Sequence, residues 1–159
     1  MACSRRRLPV VFVCAVCMSG PWVSAAPPAG HAHAHPEAGP HRGTLIDLGR
    51  GEYHAELVHD HANDAITVHL LDATATKPVA IAAKRLTLNV RSGGKPWQFS
   101  LAAAAQPGDA PGVASAFVGK GGELLRVLDA PDASGRLNVE IGGKVYGGRV
   151  SGHAHGHEH

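Results

Sequence analysis

Histidine is the residue type in this sequence whose number and spacing most clearly suggest chemistry. The chain contains 12 histidines, and most of them alternate with small residues close to its two ends. The two arms carry His31, His33 and His35 at one end and His153, His155, His157 and His159 at the other, with His41 a little beyond the first group. Neutral imidazole is a preferred ligand of zinc, copper and nickel. In an extended chain, the two rings of a His-x-His unit lie on one side, roughly 6 to 7 Å apart along the backbone, and can reach one ion. We therefore predict that both arms bind divalent transition-metal ions.

Two further histidines, together with a carboxylate, lie on a predicted β-hairpin formed by residues 52–60 and 65–71. The apolar residues of the two strands alternate, and they share one face if that face packs on a core. The apolar set is Tyr53, Ala55, Leu57, Ile66, Val68 and Leu70. The same parity places His54, Glu56 and His69 together on the opposite, outer face. Two imidazoles and a carboxylate form a three-ligand metal set, with water or an arm histidine in the fourth position. The alternative interpretation is a solvated sheet face that carries an ordinary His–Glu ion pair.

A second cluster follows directly in the connection between these two strands. His59, Asp60 and His61 are adjacent in sequence, so three potential ligands fall within one turn. Binding residues are often carried by loops, although alternation gives no information about their geometry there. We include His59 and His61 among the candidate metal ligands.

The first 25 residues have the pattern of a cleaved export signal. Arg5, Arg6 and Arg7 precede the apolar run from Leu8 to Met18, which is too short to span a bilayer, and Val23-Ser24-Ala25 offers a cleavage site. The sequence leaves both the secretory and the twin-arginine routes open, since an arginine pair is present. We expect a periplasmic or secreted protein that is not inserted in the membrane after cleavage.

Removal of this signal would change the chemistry of the remaining chain. All 3 cysteines, Cys3, Cys14 and Cys17, lie within it, so the mature protein would have neither a disulfide nor a thiolate ligand. The Lys and Arg count would fall from 15 to 12 against 13 acidic residues. The mature chain is therefore slightly acidic when its histidines are neutral, and we expect no nucleic-acid partner.

The mature chain reads as one small domain between two arms. Residues 26–42 and 151–159 are rich in His, Ala, Gly and Pro without apolar periodicity, which indicates disorder. Residues 43–150 show short alternating segments separated by turn residues, which is typical of a β-sandwich. The predicted strands are 44–48, 52–60, 65–71, 78–81, 85–91, 96–102, 113–118, 136–141 and 144–149, with one or two helical turns at 123–128. The predicted fold is thus all-β, a single sandwich of about eight short antiparallel strands.

Three segments within residues 41–79 resemble a motif of known bacterial proteins. They are His41-Arg-Gly-Thr-Leu, Tyr53-His-Ala-Glu-Leu-Val58, and Val68-His-Leu-Leu-Asp72 with Lys77-Pro-Val79. Together they resemble a His-Gly-Gly … Tyr-His-x-Glu-Leu-Val pattern, in which Arg42 replaces the first glycine. The pattern is found in small exported proteins and in periplasmic segments of heavy-metal efflux adaptors of the membrane-fusion type. The resemblance implies a periplasmic, metal-linked β-domain with His41, His54 and Glu56 at its polar positions.

These observations predict an exported protein that binds Zn, Cu, Ni or Co as a metal buffer, a metal chaperone or an accessory of efflux. A metal efflux or uptake system is the partner that this function implies. A structural or interaction β-domain with incidental His tails is the alternative. We expect no enzymatic activity, because the sequence lacks the Gly-x-Ser-x-Gly, His-Glu-x-x-His and phosphate-loop motifs.

Overall fold

The computed structural model describes residues 38–152, which form eight β-strands and one short helix. The proposed signal and seven arm histidines lie outside these residues. The elements are β1 (Thr44–Leu48), β2 (Tyr53–Asp60), β3 (Ala65–Leu71), β4 (Arg85–Ser92), β5 (Lys95–Ala104), β6 (Ala116–Lys120), α1 (Gly122–Leu128), β7 (Ser134–Ile141) and β8 (Lys144–Ser151). The predicted all-β fold of about eight short antiparallel strands is confirmed. Within the described part of the chain, no helix is both long and apolar enough to span a membrane.

The eight strands belong to one antiparallel sheet that is nearly closed. Their order is β1-β2-β3-β6-β5-β4-β7-β8, and the two outer strands, β1 and β8, also approach each other. Gly148 makes this approach close, because a Cβ atom there would lie 2.8 Å from a methyl group of Leu48 and 2.9 Å from the Asp47 carbonyl oxygen. An ion pair of 3.0 Å joins Lys144, at the start of β8, to Glu52, in the turn between β1 and β2.

Alternation along the strands fills the interior of the curved sheet. Leu57 lies directly opposite Val68, and Ala55 lies opposite Leu70, as the parity of the sequence predicts. The core also includes Leu88 of β4 and other side chains from the second half of the sheet, so both halves contribute to one core. Helix α1 packs on this core through Leu124, Leu125, Val127 and Leu128. Burial of apolar surface contributes roughly 25 cal/mol per Å², which makes this continuous core the main source of stability.

The predicted strand bounds differ from the structure mainly outside the first hairpin. The segment from Pro78 to Ile81 makes only isolated bridges, from Pro78 to Leu71 and from Ile81 to Ala114. Strands β4 and β5 extend to Ser92 and Lys95 because the Gly93-Gly94 turn allows this pair to form. Strand β5 also extends to Ala104 at its other end, because residues 102–104 pair with β6.

The described residues that precede β1, 38–43, contact the sheet. Ala38 forms a bridge with Thr44, and residues 39–43 form a turn closed by hydrogen bonds of 3.0 Å from Gly39 N to Gly43 O and from Arg42 N to Gly39 O. Arg42 has a φ of 63°, so the turn forms even though arginine stands where the resembled pattern has glycine. The turn lies against the outer face of β2, because Gly39 and Gly43 lack the Cβ atoms that would overlap the Glu56 side chain.

Candidate metal centre

The six candidate ligands that the structure describes separate into two groups. They are His41, His54, Glu56, His59, His61 and His69. The first group lies on the outer face of the β2–β3 hairpin, and the second lies at the end of β2. Each group has its own partners, so the two are described in turn.

Glu56 is the centre of the first group. Its Oε1 atom accepts hydrogen bonds from the backbone N–H groups of His41, at 2.7 Å, and Gly43, at 2.8 Å. Its Oε2 atom lies 2.7 Å from Nδ1 of the His41 ring. The Glu56 side chain is fully buried, whereas the His41 side chain is 48% exposed. Charge-assisted hydrogen bonds of this kind offset the cost of burying a carboxylate.

His54 occupies the same face but has different partners. Its Nδ1 atom lies 3.0 Å from the carbonyl oxygen of Asp72, and its Nε2 atom lies 3.1 Å from Oδ1 of Asp47, directly opposite on β1. The His54 side chain is fully buried. Both ring nitrogens therefore contact protein oxygens in this structure.

His69 lies directly opposite Glu56 on β3, as the predicted register requires, but its ring stacks on His41. The two ring centroids are 3.8 Å apart and the planes differ by 9°. Partial burial lowers the pKa of His69, and the nearby His41 lowers it further, against a smaller opposing effect of Glu56. The neutral form of His69 is therefore favoured beside His41.

The register thus places His54, Glu56 and His69 on the same face of the hairpin, as predicted. However, this face is not exposed as expected, and the three side chains do not form one metal site. His54 and Glu56 are buried beneath the turn of residues 39–43 and the loop that follows β3. His54, Glu56 and His69 do not form a group of converging ligand atoms in the described part of the chain. The physical reason is that each side chain binds a different neighbour: Asp72 and Asp47, the 39–43 turn, and the His41 ring.

The second group does converge. The ligand atoms of His59, His61 and Asp129 all lie within 4.8 Å of one another, the only such group of three among residues 38–152. Nδ1 of His59 lies 2.9 Å from Oδ1 of Asp129, and Nδ1 of His61 lies 3.8 Å from Oδ2 of the same carboxylate. Side-chain exposure is 12% for His59, 62% for His61 and 28% for Asp129, so the group is open to solvent on the His61 side.

Two elements bring this group together. His59 lies on β2 with the core-facing parity of Leu57, at the end of the strand where the apolar face gives way to polar side chains. Asp129 is the C-cap of α1, where its backbone N–H donates to the Leu125 carbonyl oxygen at 2.8 Å. The apolar face of α1 docks on the core and thereby fixes the Asp129 carboxylate beside His59.

The geometry is suitable for a small divalent ion. Donor atoms about 2.0 Å from a tetrahedral ion are about 3.3 Å apart. The separations of 2.9 and 3.8 Å, which involve the two different oxygens of Asp129, are close to that value. The three groups line a pocket of about 320 Å³ that is also lined by His41. Two imidazoles and one carboxylate leave a further coordination position for water or another ligand.

Asp60, which we expected to belong to this cluster, has another role. Its carboxylate accepts hydrogen bonds from the Asn63 side chain at 2.8 Å and the Asn63 backbone N–H at 3.1 Å. The Asn63 side chain is the main cause that holds the pKa of Asp60 below its usual value. Asp60 therefore closes the β2–β3 turn, and Asp129 supplies the carboxylate of the cluster.

Asp129 has no signal in the sequence that relates it to the histidines. It follows a short apolar segment, and a residue of this type in that place indicates only the end of a helix. Its contact with His59 depends on how α1 packs against the sheet. Comparison of the chain with protein families, with curated proteins and with solved structures found no match.

Proposed function

We propose that the protein is exported and binds divalent transition-metal ions, acting as a metal buffer, a metal chaperone or an accessory of a metal efflux or uptake system. The observation that carries this proposal is the convergence of His59, His61 and Asp129 within 4.8 Å. Two nitrogen donors and one oxygen donor suit Zn(II), Cu(II), Ni(II) and Co(II), with Cu(II) first in the general order of affinity.

The arms extend the same chemistry. His-x-His units with Ala and Gly spacers can bind ions with fast exchange, because the composition of the arms predicts disorder and binding would have to order them. In this function the arms collect ions, and the cluster on the folded domain holds one ion more tightly. The partly exposed His61 gives incoming ions access to the cluster.

The test is a calorimetric titration of the mature protein with Zn(II), Cu(II), Ni(II) and Co(II). We expect more than one equivalent to bind. In the arm-substituted protein, the full mature chain with Ala at positions 31, 33, 35, 153, 155, 157 and 159, about one equivalent should remain. Adding His61→Ala and Asp129→Asn should remove that equivalent, whereas Glu140→Gln, an exposed carboxylate elsewhere, should leave it unchanged.

Two results would overturn parts of this function. If the unsubstituted protein binds none of the four metals, metal binding is not its function. If the arm-substituted protein binds none while the unsubstituted protein binds several equivalents, the arms act alone and the cluster is not a site.

An interaction domain is the second candidate, and one surface favours it. Arg91, Arg136, Arg149 and Trp97 line a cleft of about 830 Å³ formed by β4, β5, β7 and β8, which shares no residue with the His–Asp cluster. A cleft lined by three arginines and a tryptophan suits an acidic protein segment. A metal-independent complex that is lost on replacing Arg136 and Arg149 by Ala, but not on replacing His61, would support this candidate.

A further inference from the structure

Gly152, which follows β8 and is the last described residue, lies against the segment that carries Asp129. Its backbone N–H donates to the Ala133 carbonyl oxygen at 2.8 Å, and the Ala133 N–H donates in turn to the Ala130 carbonyl oxygen at 2.9 Å. A Cβ atom on Gly152 would overlap that Ala130 oxygen, so the approach is as close as a glycine allows. The end of β8 is thereby held beside the residue that follows the carboxylate of the cluster.

The directions of the strands also place Gly152 and His59 at the same end of the sheet. The ring of Tyr53, the first residue of β2, meets the ring of Tyr146 near the start of β8, with centroids 5.0 Å apart. Strand β1 lies between these two strands and runs opposite to both, so β2 and β8 run in the same direction from that contact. His59 and Gly152 each lie six residues further along their strands, which brings them to about the same level.

The histidines of the C-terminal arm follow directly and have the chemistry that the cluster lacks. The cluster supplies three ligand groups, and a four-coordinate ion accepts one more. Because Gly152 contacts the Ala130 carbonyl group, standard backbone dimensions place the Cα atoms of Gly152 and Asp129 within roughly 10 Å of each other. Three extended residues span about 10 Å, so His155 is the first histidine of this arm whose backbone can cover all of that distance.

The N-terminal arm joins the domain on the other face of β2. The ring of His41 is held there by Glu56, at 2.7 Å, and by stacking on His69. His59, by contrast, has the core-facing parity of β2. The described residues next to the C-terminal arm, and not those next to the N-terminal arm, therefore lead to the segment that carries Asp129.

We propose that the C-terminal arm supplies the fourth ligand of the ion held by the cluster, through His155, so that metal binding fastens this arm to the domain. This inference rests on the function proposed above, since it completes the same site. It also gives the two arms different roles: the C-terminal arm completes the site, and the N-terminal arm only collects ions.

The test uses Cu(II) as the probe and two derivatives of the arm-substituted protein. One derivative keeps His155 and has Ala at the other six arm positions. The matched control keeps His35 instead, because His35 precedes Ala38 by three residues just as His155 follows Gly152 by three.

We expect His155 to raise Cu(II) affinity at least about 10-fold over the arm-substituted protein, because a tethered ligand acts at a high effective concentration. The nitrogen hyperfine pattern of bound Cu(II) in electron paramagnetic resonance should change from two imidazole nitrogens to three. His35 should change neither the affinity nor the pattern.

A second pair of substitutions tests whether His155 and the cluster hold the same ion. With His61→Ala and Asp129→Asn in place, keeping His155 should no longer raise Cu(II) affinity. A gain that persists in this background would mean that His155 binds elsewhere, and the shared site would be overturned.

The outcomes separate this inference from the function on which it rests. If the arm-substituted protein binds Cu(II) and His155 changes neither affinity nor nitrogen pattern, the inference is overturned while the cluster stands. Equal gains from His155 and His35 would also overturn it, because the effect would not depend on where the arm begins. Absence of Cu(II) binding from both the arm-substituted protein and the derivative that keeps His155 would overturn the cluster and this inference together.

Discussion

Nδ1 of His59 lies 2.9 Å from Oδ1 of Asp129, which joins the end of strand β2 to the C-terminus of helix α1. The two residues are far apart in the sequence, and only the packing of α1 on the sheet brings them together. In the metal-free protein this contact is a hydrogen bond between an imidazole and a carboxylate. With a metal ion bound, the same two groups would both be ligands, so binding would replace this hydrogen bond by two bonds to the ion.

Metal binding at this contact should stabilise the fold. A ligand that binds only the native state at 100 times its dissociation constant adds about 2.7 kcal/mol to the free energy of unfolding. We expect Zn(II) to raise the melting temperature of the arm-substituted protein and to have no such effect on its Asp129→Asn variant. Differential scanning calorimetry with and without Zn(II) would measure both shifts. An equal Zn(II)-induced shift in the two proteins would rule out Asp129 as a ligand.

His54 should prove important for stability rather than for metal binding. Its side chain is fully buried and contacts the Asp72 carbonyl oxygen and the Asp47 carboxylate, so His54→Ala leaves a cavity and removes both contacts. We expect a loss of about 1 to 3 kcal/mol in the free energy of unfolding. Leu57→Ala, at a core position that is 2% exposed, should cost about 2 to 5 kcal/mol. Urea titrations of both variants provide the measurement, and a His54→Ala protein as stable as wild type would contradict the burial of this face.

The geometry of the turn of residues 39–43 can be tested by two substitutions, one that introduces a glycine and one that removes a glycine. Arg42 has a φ of 63°, a conformation that costs an ordinary L-residue about 1 to 2 kcal/mol. Arg42→Gly removes this cost, but glycine loses more conformational entropy on folding, which offsets part of the gain. We therefore expect Arg42→Gly to raise the free energy of unfolding by about 0.5 kcal/mol.

Gly43→Ala is the matched opposite change at the next position. Its new Cβ atom would overlap the Leu57 carbonyl oxygen and lie 2.8 Å from Cγ of Glu56, so the turn should be displaced. We expect Gly43→Ala to lower the unfolding temperature and Arg42→Gly to raise it. Shifts in the same direction would mean that the turn does not have this geometry.

Asp109 should make stability depend on pH in the acid range. It accepts hydrogen bonds from the backbone N–H groups of Gln106, at 2.7 Å, and Ser115, at 2.9 Å, and from the Ser115 hydroxyl. The backbone bond from Gln106 is the largest cause that lowers the pKa of Asp109. A carboxyl group whose pKa is lower in the folded state than in the unfolded state stabilises the fold when it is ionised. This contribution is complete above the pKa of the unfolded state, about 3.9, and is lost as the pH falls through the pKa of the folded state.

Asp109→Asn should remove that contribution. The difference in melting temperature between wild type and this variant should be largest above about pH 5 and should decline towards zero near pH 2. Glu140→Gln, at an exposed position, serves as the control and should show no comparable trend. A constant difference across this range would show that the Asp109 hydrogen bonds do not depend on its charge.

Local alternation was enough to predict much of the first hairpin. The bounds of β1 and β3 agree with the sequence-based prediction, and Glu56 lies opposite His69 on the face away from Leu57 and Val68. This success has a simple cause. Side chains alternate every two residues along a strand, so one buried apolar face determines the parity of every neighbour.

Only the tertiary structure determined that the outer face of the β2–β3 hairpin is covered and that His59, His61 and Asp129 come together. The turn of residues 39–43 has no periodic pattern, so the sequence did not indicate that it would bury Glu56 and His54. The contact of Asp129 with His59 depends on how α1 docks, and no local pattern carries that information. Parity along a strand is a local property of the backbone, whereas the partner of a polar side chain is set by whichever distant segment packs beside it.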